Sequence, residues 1–174
     1  MSNTVVIIPT RLQAKRLPNK PLKIINQKEM ILHVYDLAIQ SRVGEVLVAT
    51  PDKIIFDLVI KNGGKAFVSK ESHNTGTDRV FEAFKKFYLG KPEIIINLQG
   101  DMPNLNPKDI VKLRDYIKNE KKSDVVTLAS SLKDKEEVKD KNVVKVITKE
   151  AIENLDFSEA FDFKREVAEK ENKH

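Results

Sequence analysis

Three polar segments of this chain concentrate residues suited to phosphate and sugar chemistry. The first, Pro9-Thr-Arg-Leu-Gln-Ala-Lys-Arg-Leu-Pro-Asn-Lys-Pro21, offers four cations: Arg11, Lys15, Arg16 and Lys20. A triphosphate carries high, delocalised charge, which converging cations and backbone N–H donors neutralise. The segment has no glycine and no GK[ST], so it is not a Walker loop. Its prolines lower the entropy lost in holding the cations. The second segment is Ser72-His-Asn-Thr-Gly-Thr-Asp-Arg79. Gly76 permits a close backbone approach or a positive φ, and Thr77 or Asp78 is expected to cap a following helix. Polar side chains and free backbone groups here suit the edges of a base. The third segment is Asn97-Leu-Gln-Gly-Asp-Met-Pro103. Asp101 suits magnesium, which takes few protein carboxylates and relies on phosphate oxygens for the rest. Gly100 is expected to leave room for a ligand beside it. Each segment also has a plainer reading: a solvated basic loop, a capped helix entry, and an aspartate in a turn.

The elements that must position these segments follow from the apolar pattern. Thr4-Val-Val-Ile-Ile8 is β-branched without alternation, which suits a strand buried on both faces. Further strands are expected at Val46–Ala49, Ala66–Val68, Glu93–Leu98, Val125–Ala129 and Val143–Ile147. Helical stripes lie between them: Met30 to Ala38, Ile54 to Val59, Val80 to Phe87, and Ile110 to Ile117. Asn62-Gly63-Gly64 should stop the second helix, and Asn106-Pro107 should start the fourth. Residues 10–27 read as one long loop. Alternating strands and helices from residue 4 to about 130 imply βαβ units and a parallel sheet with right-handed crossovers. The ligand crevice of such a sheet lies off the carboxyl ends of its strands. The loops there are 9–21, 50–53, 69–77 and 99–106, and three of the four carry the unusual residues. An α/β core over 1–150 is expected, then a charged segment over 151–174, disordered or truncated. Residues 150–174 hold eight acidic and four basic residues.

Composition excludes several classes. The chain has 174 residues, 40% of them apolar and 33% charged, as in soluble globular domains. Cysteine is absent, which removes disulfides and thiol catalysis. The three histidines, His33, His73 and His174, are far apart, which disfavours a His-rich metal site. No apolar run reaches the roughly 18 residues of a membrane span, and the N-terminus lacks the order of parts of a signal peptide. A cytoplasmic location is therefore expected, with no membrane partner. The formal charge of +5 suggests nucleic acid, but only six of 31 basic residues are arginine and the lysines are interleaved with 26 acidic residues. A Lys-rich solvated surface is the simpler account, and no nucleic-acid partner is expected.

Taken together, the segments resemble the 3-deoxy-manno-octulosonate (KDO) cytidylyltransferases of lipopolysaccharide biosynthesis. Ile7-Ile8-Pro9, Arg11, Arg16-Leu17-Pro18 and Lys20-Pro21-Leu22 are in step with that family's opening I-I-P-x-R-x-x-S-x-R-L-P-x-K-P-L. His73, Gly76, Thr77, Asp78 and Arg79 match H-x-x-G-T-[DE]-R. Asn97 to Asp101, with Pro103, match N-[LV]-Q-G-D-x-P, and Asn142, Val144, Lys145 and Val146 match N-x-V-K-V. The resemblance covers residues 4–148. It implies a three-layer α/β/α fold with a mostly parallel, Rossmann-like nucleotide-diphospho-sugar transferase sheet, incomplete at the C-terminus. It implies an Mg²⁺-dependent nucleotidyltransferase in which CTP and KDO give CMP-KDO and pyrophosphate. Nucleotide contacts would come from Pro9, Thr10, Arg11, Arg16, Lys20, Asn74, Gly76, Thr77, Arg79 and Gln99. Arg11, Lys20 and Asp101 would be catalytic, Gln99 would face the sugar acid, and Asp101 would hold Mg²⁺. The family is homodimeric.

The sequence also departs from the pattern. The family's first-loop serine is Ala14 here, and the acidic residue often following Q-G-D is Met102. Family members run to about 250 residues, and their later portion supplies a His-containing region that contacts KDO, a second metal-binding Asp and much of the dimer surface. Leu155-Asp-Phe-Ser158 faintly resembles the family's next strand, with Glu159 where Arg is usual. Two other readings stay open: a cytidylyltransferase for another sugar acid, and a non-catalytic nucleotide-binding remnant. With one carboxylate left to hold the metal, this chain alone is expected to be weakly active or inactive. A pyrophosphate-release assay with CTP, KDO and Mg²⁺ tests this, and normal turnover would contradict it.

Overall fold

In the computed structural model, residues 3–13, 17–70, 72–120, 123–150 and 157–167 are described. The chain divides into two compact units, Met1–Val126 and Thr127–His174.

The first unit is a four-stranded parallel sheet covered by helices on both faces. β1 (Thr4–Pro9) is buried along its whole length. The expected long loop after it contains structure of its own. Lys20–Leu22 form a 3-10 turn, entered through Asn19 at φ 56°. β2 (Ile24–Ile25) and β3 (Lys28–Glu29) form a short antiparallel hairpin. Then come α1 (Met30–Ser41), β4 (Glu45–Thr50), α2 (Lys53–Lys61), β5 (Ala66–Val68), α3 (Gly76–Lys86), β6 (Ile94–Asn97) and α4 (Pro107–Asn119). The strands lie in the order β5-β4-β1-β6, with β1 pairing in parallel to both β4 and β6.

Side-chain alternation along β1 builds the two layers. Val6 and Ile8 pack with Ile31, Val34, Leu37 and Ala38 of α1, Ile55 and Val59 of α2, and Ile110 of α4. Val5 and Ile7 pack on the opposite face with Val80 and Ala83 of α3. An unalternating apolar run is thus the sequence of a central strand that needs apolar groups on both sides. The helix boundaries have local causes. α2 ends where Gly63 takes φ +76° and the Gly64 N–H donates to the Val59 carbonyl at 2.9 Å. α4 starts at Pro107, with the Asn106 side chain accepting from the Lys108 N–H at 3.0 Å.

Two expectations are corrected. Val125–Ala129 is not a strand, and Val125 is 85% exposed. A β-branched run becomes a strand only beside a partner's unpaired backbone, and the sheet ends at β6. Secondly, residues 160–164, expected within a charged segment that is disordered or truncated, form a strand.

That strand lies in the second unit, which contains α5 (Lys135–Lys139), capped by the Asp134 carboxylate. It also contains β7 (Lys145–Thr148) and β8 (Ala160–Lys164), paired antiparallel. Pairing ties residues 145–148 to 160–164. The side chain of Lys145 is fully buried, and its ammonium donates to the carbonyls of Asp140 and Arg165. Leu155 and Asp156 lie outside the described residues.

Adjacent residues of α2 give a test of the layer assignment. Ile55 is fully buried and Ile54 is 57% exposed. Ile55→Ala is expected to cost about 2–5 kcal/mol and Ile54→Ala less than about 0.5 kcal/mol, measured by urea unfolding.

Candidate functional site

The carboxyl ends of the parallel strands open onto a cleft of about 630 Å³ within the first unit. All three polar segments reach it. Pro9, Thr10, Arg11 and Lys20 line it from the first; Asn74, Gly76 and Arg79 from the second; Gln99 and Asp101 from the third. Thr77 does not line it; its hydroxyl accepts from the Asn97 amide at 3.5 Å. Lys15 and Arg16 lie outside the described residues. Leu17, Pro21 and Met30 add an apolar side to the cleft that the polar motifs did not indicate.

The first segment is held at its base by backbone and by one carboxylate. The Thr10 N–H donates to the Ala49 carbonyl at 3.0 Å, and the Asn19 N–H to the Leu12 carbonyl at 3.2 Å. The Leu12 N–H donates to Asp52 Oδ2 at 2.8 Å. Asp52 stands in the one crevice loop, 50–53, that had shown no unusual residue. Its partner is 40 positions away, so no local pattern announces it.

Two glycines bring the other segments against the first. A Cβ on Gly76 would lie 3.2 Å from Pro9 Cγ, and one on Gly100 would lie 3.0 Å from the Pro9 carbonyl oxygen and 3.1 Å from Thr10 Cβ. Gly100 was expected to leave room for a ligand. Gly100 does line the cleft, and its missing side chain also lets it pack against the backbone at the end of β1.

The second segment enters α3 through a capping box at Thr75, two or three residues earlier than a cap at Thr77 or Asp78 would have placed it. Thr75 Oγ1 accepts from the Asp78 N–H at 3.1 Å, and Asp78 Oδ2 accepts from the Thr75 N–H at 3.2 Å. The hydrogen bond from the Thr75 hydroxyl lowers the Asp78 pKa. One turn on, Arg79 is 3% exposed. Its Nε donates to Ser69 Oγ at 2.8 Å, while its buried Nη2 has no partner. Burial, then the nearby Arg11, pull its pKa down, against Asp52 and Glu82. A buried, unpaired guanidinium N–H at a cleft wall is costly unless an acceptor arrives there.

Glu82, missed in the sequence, stands three residues beyond Arg79. Its carboxylate accepts from the Lys70 N–H at 2.9 Å, His73 Nε2 at 2.7 Å and Lys86 Nζ at 2.9 Å. A carboxylate only accepts, so His73 carries its proton on Nε2. Burial opposes ionisation of Glu82, but the Lys70 N–H, Lys86 and His73 outweigh it and bring the pKa to about 2.

Across the cleft, Lys20 Nζ lies 2.6 Å from Asp101 Oδ2, with the two side chains 35% and 51% exposed. Gln99 Nε2 donates to Asn97 Oδ1 at 3.1 Å. Among the described residues no group of three or more His, Cys, Asp or Glu is placed to hold a metal. Asp101 is a solvent-accessible carboxylate facing the cationic loop. As one protein ligand among phosphate and water oxygens it fits Mg²⁺, which needs no all-protein cage.

A family model described as Cytidylyltransferase matches residues 5–169. A 3-deoxy-manno-octulosonate cytidylyltransferase from Wigglesworthia glossinidia brevipalpis is 43% identical over 143 residues, which are 82% of this chain and 58% of that protein. Its namesake from Idiomarina loihiensis is 40% identical over 160 residues, 92% of this chain and 63% of that protein. The chain therefore spans about three-fifths of the length of these curated relatives. A solved structure of CMP:2-keto-3-deoxy-manno-octonic acid synthetase complexed with CTP superposes with a TM-score of 0.82 at 35% identity, covering 94% of this chain and 64% of that one. The mostly parallel sheet flanked by helices is thus a nucleotide-sugar transferase fold. A cytidylyltransferase from Leptospira borgpetersenii, 22% identical with a TM-score of 0.59, shares the fold.

The buried Glu82 makes an acid-stability prediction. Its folded pKa lies below the usual 4.5, so its contribution is complete above about pH 4.5 and is lost as pH falls toward 2. Denaturant unfolding across that window should show a steeper loss of stability in the wild type than in Glu82→Gln.

Proposed function

Because the chain belongs to the cytidylyltransferase family, we propose that its cleft binds CTP and carries the nucleotide half of CMP-KDO synthesis. The observation that supports this best is the convergence of Arg11, Lys20, Arg79 and Asp101 on one cleft at the carboxyl ends of a parallel sheet. In this reading Arg11 and Lys20, with Arg16 of the same segment, neutralise the triphosphate. Pro9 and Thr10 offer the backbone at the end of β1. Asn74, Gly76 and Arg79 surround the base and ribose, with Thr77 supporting them from outside the cleft through Asn97, and the unpaired Arg79 N–H finds its acceptor on the nucleotide. Gln99 faces both the nucleotide and the sugar acid. The anomeric hydroxyl of KDO attacks the α-phosphorus; the new O–P bond forms as the bond to the β-phosphate oxygen breaks, the hydroxyl proton passes to solvent water, and pyrophosphate leaves. Such a transfer depends mainly on positioning and on neutralising charge.

Asp101 would hold Mg²⁺, with Lys20 turning from Asp101 to the phosphates as nucleotide enters. When bound, the ion neutralises phosphate charge and polarises the phosphorus centre. The product belongs to lipopolysaccharide biosynthesis, and we place the reaction in the cytoplasm, where CTP is supplied. No described helix is long and apolar enough to cross a membrane. A second reading is CTP binding without turnover, favoured by the lack, among the described residues, of any group of three or more His, Cys, Asp or Glu placed to hold a metal.

Calorimetry with CTP and Mg²⁺ tests the proposal. The wild type should bind, and Arg11→Ala and Lys20→Ala should each weaken binding about tenfold or more, as expected for a charge-assisted contact. Absence of CTP binding by the wild type would overturn it. Pyrophosphate release on adding KDO separates the two readings.

A further inference from the structure

His73 belongs to the second motif, yet it does not line the cleft, and no step proposed above uses it. Its side chain is largely buried, at 19% exposure, and points to Glu82. The same carboxylate oxygen, Glu82 Oε2, also accepts the Lys70 N–H. One buried oxygen therefore gathers two points of the connection between β5 and α3. From the same helix, Arg79 takes Ser69 through its hydroxyl. Asn74 and Thr75, which follow His73 directly, are the residues of this connection that face the cleft together with Gly76.

We propose that Glu82 is a positioning residue for the nucleobase wall: by holding Lys70 and His73 it sets where Asn74 and Thr75 stand in the cleft. The proposal rests on the CTP-binding reading. Three features of the structure favour positioning over simple stabilisation. Glu82 spends its oxygens on the connection and on Lys86, not on the core. Its bonds reach back 12 and nine residues, across the whole connection. The helix that carries it also carries Arg79, so base wall and guanidinium are registered to one rigid element. A base is told from its near relatives by groups held within a few tenths of an ångström, which a loop fixed only at its ends does not provide.

The test uses the full chain, with Glu82→Gln, His73→Phe and Lys86→Ala. His73→Phe removes one bond to Glu82 and keeps the ring. Lys86→Ala removes a partner of Glu82 that lies outside the connection. Amide hydrogen exchange on the nucleotide-free protein is read at residues 73–76, and CTP and UTP affinities are measured by calorimetry. Glu82→Gln is expected to speed exchange at residues 73–76, to weaken CTP about tenfold and to lower the CTP-to-UTP preference. His73→Phe should move the same quantities in the same direction, and Lys86→Ala should leave all of them unchanged. Unchanged exchange in both Glu82→Gln and His73→Phe overturns the positioning role. Faster exchange with an unchanged CTP-to-UTP ratio overturns the link to the base. If Glu82→Gln fails to fold, His73→Phe decides by the same two measurements. A wild type that binds neither nucleotide overturns the CTP reading, and with it the base wall.

Discussion

The close packing of Pro9 against two glycines is the constraint on which the cleft depends. β1 is the centre of the sheet, and its last residue meets the start of α3 at Gly76 and the loop after β6 at Gly100. Any side chain at Gly100 would meet backbone, which cannot yield as a flexible side chain can. Three loops far apart in sequence therefore end within one small region, and their charged residues share a cleft because the backbones beneath them touch. The glycines let chain approach chain at the wall of the cleft that both of them line.

The charges above that contact are arranged in opposition. Cations come from the first loop and from α3, and the facing carboxylate is Asp101. Lys20 and Asp101 satisfy each other, whereas Arg79 keeps one buried donor without a partner among the described residues. Both groups are partly exposed at the first pair, so that ion pair contributes little to stability. The buried arginine is the opposite case. Its unpaired N–H costs free energy in the folded protein.

Support for these groups comes from residues that do not themselves carry charge to the ligand. Asp52 fixes Leu12 in the first loop, Glu82 gathers Lys70 and His73, and Thr75 with Asp78 sets the first turn of α3. Each sits beside a motif residue, on a neighbouring element whose position is fixed by the apolar core.

Much of this was legible in the amino-acid sequence. Apolar runs and stripes located the four parallel strands and four helices of the first unit, because burial on one or both faces imposes its period on the residues themselves. Loop chemistry located Arg11, Lys20, Gly76, Arg79 and Asp101, since a carboxyl-end crevice is where a parallel sheet must place its ligand. What the sequence alone could not determine were the partnerships. Val125–Ala129 has the composition of a strand but pairs with no described strand, whereas residues 160–164 form one because β7 pairs with them. Asp52 and Glu82 read as ordinary surface acids until the fold sets a backbone N–H against each. Periodicity is a property of consecutive residues and survives in one dimension; a hydrogen bond across 40 positions is made only when the tertiary structure closes the distance.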